Sequence, residues 1–575
     1  MDSAARKPPA AATRTRVYVV LGSLMLAMLL LAARAVYLQI WHADYLQQQG
    51  NSRYSRVVAD APNRGMILDR NGEPLAISTP VESIWANPAE LAEQRAHWPR
   101  LAPMLGITMR EFASMVARHQ GREFMYLKRH VAPEYAQRVM ALGVPGVALQ
   151  REYRRYYPAG AVAGHVLGFT NIDDRGQEGV ELAYDEWLRG VPGKKRVLKD
   201  RLGNVVETVE SLNLPVPGKD LQLSIDRRVQ YLAYRELKAA IATHAARGGT
   251  AVVLDVQTGE VLAMVNEPGF NPNNRTQLRG SMFRNRAVTD VFEPGSTVKP
   301  FTVAAALESG KFSATTPIDT SPGLLKVGRN TVRDTHDYGR LTVAGVIQKS
   351  SNVGTTKIAF AVGKDAMWNM LRKVGFGRET GASLPGESYG LLNPPQRWGQ
   401  IEQATMSFGY GVSVTPLQLA RAYTALANGG QLAPVSLVKR ERAPLTEGVM
   451  SLATALEVRA MLEMAVGSDG TGGAARVRHF RVAGKTGTVH KLGDSGYAKE
   501  YLSFFAGFAP ATRPRLAMVV MIDEPTRGGH FGGEIAAPVF GRVMADALRL
   551  LNIPPDAPEI PQRHIARQDA LMVSG

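Results

Sequence analysis

FEPGSTVKPF, residues 292–301, places a Pro294-Gly295 turn directly before a serine whose hydroxyl is followed three residues later by a lysine. After Ser296 the run TVKPFTVAAALESG has helical spacing and closes at Gly310, a C-terminal cap. Pro300 is tolerated only in or beside a first turn, so the predicted helix starts close to Ser296. Ser296 and Lys299 then share one helix face, which sets an amine beside a hydroxyl. The helix N-terminus favours an oxyanion and disfavours the ammonium form of Lys299. Ser-Lys is one form of activated nucleophile. The plain alternative is a capping serine with a solvated lysine, and Ser436-Leu437-Val438-Lys439 fits the same pattern. The pair therefore needs partners elsewhere in the chain.

Two further stretches supply them. Lys349-Ser350-Ser351-Asn352-Val353-Gly354 lies between the helical runs TVAGVIQ and TTKIAFAV, so its polar groups sit on a turn that aims a hydroxyl and an amide into a cleft. Alone it reads equally as a turn Ser and Asn capping the next helix, and Ser211-Leu212-Asn213 repeats the spacing in a Pro-rich stretch. Ala483-Gly484-Lys485-Thr486-Gly487-Thr488 invites a phosphate-loop reading. That motif needs Gly at position 479, which is His, and a following helix where strand residues stand. Lys485 is therefore expected on a strand. Gly484 and Gly487 would let a ligand backbone approach, and Lys485 and Thr488 would hold a carboxylate by charge and hydroxyl. No Gly-x-Ser-x-Gly elbow is present, and none of the eleven His stands three to five residues from another as helix-borne metal ligands would.

The remaining chain organises around these stretches. With 575 residues, 45% hydrophobic and 21% charged, it is an ordinary multidomain globular chain. The absence of Cys excludes disulfide scaffolds, thiolate nucleophiles and Cys-ligated zinc. The net charge of +17 is spread in short basic runs without any zinc-finger or RNA-binding signature, which reads as a solvated basic surface and not as nucleic-acid binding. Val17 to Ala33 is free of charge and continues past Arg34 into AVYLQIW, a single membrane-spanning helix over 17–38. Arg6, Lys7, Arg14 and Arg16 precede it and place the tail 1–16 in the cytoplasm. The alternative is a cleaved signal peptide, since Ala33-Arg34-Ala35 resembles a cleavage site, but the apolar run is longer than such a segment uses.

A polar, Gln-rich connection over 39–60 is expected next, then a mixed α/β module over 61–220. Within that module the Asn71-Gly72 turn joins two strands, residues 108–142 have helical periodicity, and 176–190 reads as a helix bounded by Gly. The stretch REYRRYYPAG, 151–160, is better read as a packed strand with exposed Arg than as an anion site. From Leu221 a striped helix leads into the hairpin TAVVLD and VLAMV. Near the other end FRVAGKTGTVH, YLSFFAGFAP and RLAMVVMID read as strands before a helix over 539–551. This predicts one antiparallel sheet built from both ends of the domain around an all-helical insert, 221–552, followed by an unstructured Pro-rich tail, 553–575.

Ser296-x-x-Lys299, Ser350-x-Asn352 and Lys485-Thr486-Gly487 occur in the order of the three signatures of penicillin-recognising serine enzymes. The chain resembles the class B penicillin-binding proteins over nearly its whole length, from anchor through the Arg64-Gly65 signature to the last helix. FEPGSTVKP and SSNVGTTKIAF look most like the cell-division branch, the penicillin-binding protein 3 family. The resemblance implies an α+β fold: a transmembrane helix, a pedestal or dimerisation-like domain, and a transpeptidase domain of antiparallel sheet, flanking helices and an all-helical part. It implies a serine-type D-Ala-D-Ala transpeptidase that cross-links peptidoglycan stem peptides during septum formation and is acylated by β-lactams.

In that family pattern Ser296 is the nucleophile, Lys299 its base, Ser350 a proton relay and Asn352 a substrate holder. Lys485, Thr486, Gly487 and Thr488 bind substrate, and the backbone N–H groups of Ser296 and Thr488 form the oxyanion hole. No cofactor or metal is implied. The partners implied are an FtsW-type glycosyltransferase and division regulators, and the implied site is the inner membrane with a periplasmic catalytic domain. An elongation-type relative, a β-lactamase and a penicillin-sensing receptor share the motifs. The 200 or so residues before the catalytic domain suit the β-lactamase poorly, and the short cytoplasmic tail suits the receptor poorly.

Overall fold

The computed structural model describes residues 10–43, 55–199, 205–275, 280–493 and 496–557, and the chain divides into two compact units. Residues 1–9 of the expected tail, 44–54 of the expected connection and 558–575 of the expected Pro-rich end lie outside the described residues. One unit holds the chain up to Pro62 with Pro80–Tyr153 and Val191–Pro217. The other holds Asn63–Thr79, Arg154–Gly190 and everything from Gly218. The units thus interleave in sequence where the expected boundaries, 61–220 and 221–552, were contiguous.

In the first unit, the helix Ala10–Val36 runs on through a π-helical turn, Tyr37–Trp41. Arg14–Trp41 is long and apolar enough to cross a membrane. Its 28 residues rise about 42 Å at ~1.5 Å each, more than the hydrocarbon core requires. The expected connection over 39–60 ends in structure: Ser55–Asp60 is a strand, paired antiparallel with Gly193–Lys199, which pairs in turn with Val205–Asn213. The β-branched pair Val57-Val58 favours that conformation. The helix expected over 108–142 is broken. Thr108 opens Met109–Arg118 with a capping box to Glu111, Gly121 takes φ +87°, and Met125–Val131 forms a strand before the helix Pro133–Met140. Met125, Leu127 and Val131 face the core with Phe112 and Val139, a period-two pattern inside what reads as a helical window.

In the second unit, Ile67–Leu68 and the start of Pro74–Ala86 pair antiparallel about the predicted Asn71-Gly72 turn, where Gly72 takes φ +88°. Residues 176–190 form a short strand, Gly176–Glu178, and two single-turn helices, Gly179–Ala183 and Asp185–Arg189, instead of one helix. The interruption follows from Gly179, at φ +59° and packed so closely on Leu167 that a Cβ would meet its carbonyl carbon at 2.7 Å. It also presents Glu181 inward. Arg64 Nε donates to Glu181 Oε2 (2.8 Å), Arg155 Nε donates to Oε1 (2.6 Å), and Arg64 Nη1 donates to Asp185 Oδ1 (2.7 Å). One buried carboxylate thus joins two buried guanidiniums. The basic stretch at 151–160 is, as expected, strand, Val147–Tyr156; Arg151 and Arg154 are exposed and Arg155 is spent on Glu181.

The central sheet has the predicted construction. Its strand order is Val261–Glu267, Gly248–Asp255, Leu516–Asp523, Gly496–Ala509, Ala483–Gly493, every neighbour antiparallel. The Gly248–Asp255 and Leu516–Asp523 strands are buried at every position, so both faces of the sheet are covered. Helices Arg227–His244 and Ala537–Leu550 pack one face through Leu237, Val520 and Phe540. The other face, with Val252, Phe504 and Val519, meets the insert between Glu267 and Ala483. That insert is mostly helical, with small hairpins such as Leu324–Val327 with Asn330–Arg333. Past Asn552 the chain stays bound: Asp556 accepts the N–H groups of Arg481 (2.7 Å) and Thr512 (3.0 Å), so residues 553–557 belong to the fold and not to the expected tail.

Candidate active site

The Pro294-Gly295 turn leads into a 3-10 turn, Gly295–Val298, and then the helix Lys299–Glu308 with Pro300 in its first turn, where a missing N–H is harmless. Gly295 takes φ +54°, and a Cβ there would meet Val489 Cγ1 at 2.4 Å. A Cβ on Gly409, at φ +89°, would meet Gly295 O at 2.1 Å. The serine turn is thus wedged between the Ala483–Gly493 strand and the loop at Gly409. Thr297, not Ser296, makes the hydroxyl-to-backbone bond of this turn, donating to Pro294 O (2.7 Å). Ser296 is half-buried, and its Oγ makes no hydrogen bond among the described residues. Ser296 therefore does not cap the helix.

Lys299 is fully buried, and its Nζ donates to Ser350 O, to Ser350 Oγ (3.2 Å) and to Asn352 Oδ1 (2.8 Å). The first two predicted motifs therefore meet at one nitrogen. Ser350 sits in the left-handed region (φ +61°, ψ +37°) at the end of the helix Val343–Lys349, a strained conformation for a serine that turns its hydroxyl and carbonyl toward Lys299. Ser351, not Asn352, caps the next helix, Asn352–Val362, accepting from Gly354 N (2.8 Å). The amide of Asn352 is left to bridge Lys299 and Arg333 O (2.9 Å). Burial pushes the Lys299 amine well below its ordinary range; the nearby Lys485 pushes it the same way and Asp334 opposes them.

Lys485 lies on the predicted strand, also fully buried, its Nζ donating to Thr486 O (3.1 Å). Burial brings its amine down to about 7. Thr486 Oγ1 shares a hydrogen bond with Thr471 Oγ1 (2.7 Å), and Thr488 Oγ1 accepts Gly532 N–H (2.9 Å), which leaves the Thr488 proton free to donate. The glycines of this strand admit the protein's own atoms: a Cβ on Gly484 would meet the Phe505 ring at 2.5 Å, and one on Gly487 would meet Thr297 Cγ2 at 3.0 Å and Pro294 O at 3.1 Å. Gly487 thus brings the strand against the serine turn, a role in addition to the ligand approach read from the sequence.

The two decoys separate cleanly. Ser436 Oγ donates to Val438 O (2.7 Å) and the Ser436 carbonyl takes Val261 N–H (2.9 Å), so that pair is spent on backbone pairing. Ser211 and Asn213 lie on the Val205–Asn213 strand of the other compact unit. Asp334 and Thr471 carry no motif of their own. They reach the site only through the hairpin and the loop that bear them, so nothing in the linear pattern marks them.

Two family models match the chain: the penicillin binding protein transpeptidase domain over residues 249–545 and the penicillin-binding protein dimerisation domain over 59–223. The peptidoglycan D,D-transpeptidase FtsI of Escherichia coli (strain K12) is 43% identical over 542 residues, covering 93% of this chain and 92% of that protein. The probable peptidoglycan D,D-transpeptidase PenA of Neisseria gonorrhoeae is 42% identical over 548 residues, covering 94% of each. Among solved structures, the transpeptidase domain of Burkholderia pseudomallei penicillin-binding protein 3 is 47% identical, with TM-score 0.54, covering 58% of this chain and 98% of that one. A peptidoglycan synthetase of Bifidobacterium adolescentis is 25% identical, with TM-score 0.70, covering 88% of this chain and 98% of that one. With its serine turn, buried lysine pair and two matched domains, the chain belongs to the penicillin-binding protein transpeptidases, in the family of the FtsI-type D,D-transpeptidases.

Proposed function

We propose that the chain is a peptidoglycan D,D-transpeptidase of septum formation, working through an acyl-enzyme on Ser296. The observation that carries this reading is a Ser296 hydroxyl that makes no hydrogen bond among the described residues, three positions before a buried lysine whose nitrogen is held by Ser350 and Asn352. Burial favours the uncharged amine of Lys299, which takes the Ser296 proton as Oγ attacks the carbonyl carbon of the penultimate D-alanine. The backbone N–H groups of Ser296 and Thr488 receive the developing oxyanion. As the peptide bond breaks, Ser350 passes a proton from the Lys299 ammonium to the departing D-alanine nitrogen, which restores the neutral amine. An amine of a neighbouring stem peptide then attacks the ester, gives up its proton through the same groups and frees Ser296.

Lys485 and Thr488 hold the terminal carboxylate, with Thr486 and Gly487 as the strand along which the peptide lies, and Asn352 keeps the stem backbone in place. A β-lactam enters as a mimic of the D-Ala-D-Ala end. Residues 61–220 serve as the pedestal and 221–552 as the catalytic domain, anchored by the helix over 17–38 with the tail inside and the catalytic domain outside the inner membrane. An FtsW-type glycosyltransferase beside the anchor and division regulators on the pedestal complete the assembly.

Mass spectrometry after incubation with a penicillin tests the reading. The adduct is expected on the peptide bearing Ser296, lost in Ser296→Ala and kept in Ser436→Ala. An adduct that survives Ser296→Ala overturns it.

A further inference from the structure

Tyr423 belongs to none of the three motifs and stands on the helix Pro416–Ala427, yet its hydroxyl reaches the turn that carries Ser296. The fully buried phenol donates to Thr297 O (2.9 Å), the carbonyl one residue past the serine. That carbonyl has a particular need of a donor. In the 3-10 turn Gly295–Val298 a carbonyl takes the N–H three residues on, as Ser296 O takes that of Lys299. The next rung would join Thr297 O to the N–H of residue 300, and Pro300 has none. The α-helix that follows is capped by Val298, so its ladder starts at the Val298 carbonyl, one residue too late for Thr297. With Thr297 out of contact with solvent, the Tyr423 hydroxyl supplies the missing donor.

We propose that Tyr423 is a positioning residue for the nucleophile, standing in for the N–H that Pro300 lacks and so fixing the backbone that follows Ser296. The proposal rests on Ser296 being the acylated residue. Both neighbours of the serine are then tied. Gly295 N–H donates to Gly409 O (3.1 Å), while Thr297 is held by its hydroxyl on Pro294 O (2.7 Å) and by Tyr423 at its carbonyl. The anchor is itself packed: Tyr423 meets Phe301 edge-on (5.7 Å between ring centres, 88°) and shares a core with Val252, Phe504 and Val519 of the central sheet. Burial holds the phenol well above its ordinary range, so it stays protonated, and a donor, at neutral pH. A tyrosine that only filled the core would also need an acceptor for its hydroxyl. Loss of that hydroxyl would then have the same effect whether or not residue 300 is proline.

The test is a double-mutant cycle on the full chain in detergent micelles. Acylation by a fluorescent penicillin is followed by stopped flow, with initial binding resolved from the acylation step. Tyr423→Phe keeps the ring and is expected to slow the acylation step about tenfold by displacing Ser296, with the dissociation constant of the initial complex changed less than about twofold. In a Pro300→Ala background, where residue 300 can donate to Thr297 O, the same substitution is expected to slow acylation less than about threefold. An equal loss in both backgrounds overturns the proposal, as does a wild-type rate in Tyr423→Phe or a loss carried by initial binding. If Tyr423→Phe alone does not fold, the double variant is expected to fold and label, and its failure to do so overturns the proposal. If Pro300→Ala does not fold, the split between binding and acylation in Tyr423→Phe decides. Labelling that survives Ser296→Ala sinks the nucleophile assignment and the inference with it. Labelling lost in Ser296→Ala beside a wild-type rate in Tyr423→Phe sinks the inference alone.

Discussion

Lys299 Nζ donates a 2.8 Å hydrogen bond to Asn352 Oδ1, although the two residues stand on separate helices, Lys299–Glu308 and Asn352–Val362. The bond ties the orientation of the amine to the second motif, and the proposed base role requires a nitrogen that can shed and take protons. Arginine in place of Lys299 keeps a cation but cannot lose its proton in a protein. Lys299→Arg is expected to slow penicillin acylation by about 10² to 10⁴ and to abolish the ascending limb of the pH profile. Stopped-flow acylation rates measure both.

Lys485 gives a second pH effect of opposite sign. With its amine brought down to about 7, it is charged below that pH and neutral above it. In its proposed role, its hold on a carboxylate is full in mild acid and fades as pH rises through about 7. Affinity for a D-Ala-D-Ala-terminated peptide, measured by calorimetry on Ser296→Ala, is expected to fall from pH 6 to pH 8, about tenfold at most for one ionisation moved one unit. The slope is expected to vanish in Lys485→Met.

Gly409 tests the wedge behind the serine. A methyl group there meets the Gly295 backbone at 2.1 Å, and alanine is strained at φ +89°. Gly409→Ala is expected to destabilise the fold by about 1–3 kcal/mol and to reduce acylation more than tenfold by moving Ser296. Thermal melting and penicillin labelling read the two effects.

Glu181 tests the network around Arg64. Its carboxylate answers two buried guanidiniums, so Glu181→Gln strands positive charge. Thermal or urea unfolding is expected to show a loss of about 3–5 kcal/mol, while Ser296 in the protein that remains folded still labels with penicillin.

The sequence was most readable where chemistry repeats a local pattern. Ser296, Lys299, Ser350, Asn352 and Lys485 announce themselves as short motifs, and the structure brings Lys299, Ser350 and Asn352 together at one nitrogen. The central sheet was legible because its strands are continuous apolar runs bounded by turns. The pedestal was less so. Met125–Val131 has too few apolar positions to distinguish period two from period 3.6 in a window flanked by true helices. Glu181 looks like any polar residue of a short helix until Arg64 and Arg155 fold onto it. Asp334 was invisible for the same reason: its meaning lies in N–H groups at Asn352 and Val353, which have no sequence signature.

The strand order of the central sheet also dictates a schedule. Leu516–Asp523 lies between Gly248–Asp255 and Gly496–Ala509, so the piece that joins the two halves of the sheet is nearly the last to be made. Until it arrives, the Gly248–Asp255 edge has no partner on that side, and Lys299 waits without the strand that carries Lys485. The serine, its base and their turn can gather early, since they fall within one stretch of the insert, but the groove that recognises substrate cannot. A growing polypeptide of this kind must hold an apolar, unpaired edge from the making of Asp255 until that of Asp523. Its exposure to chaperones and proteases is greatest just before the catalytic groove closes.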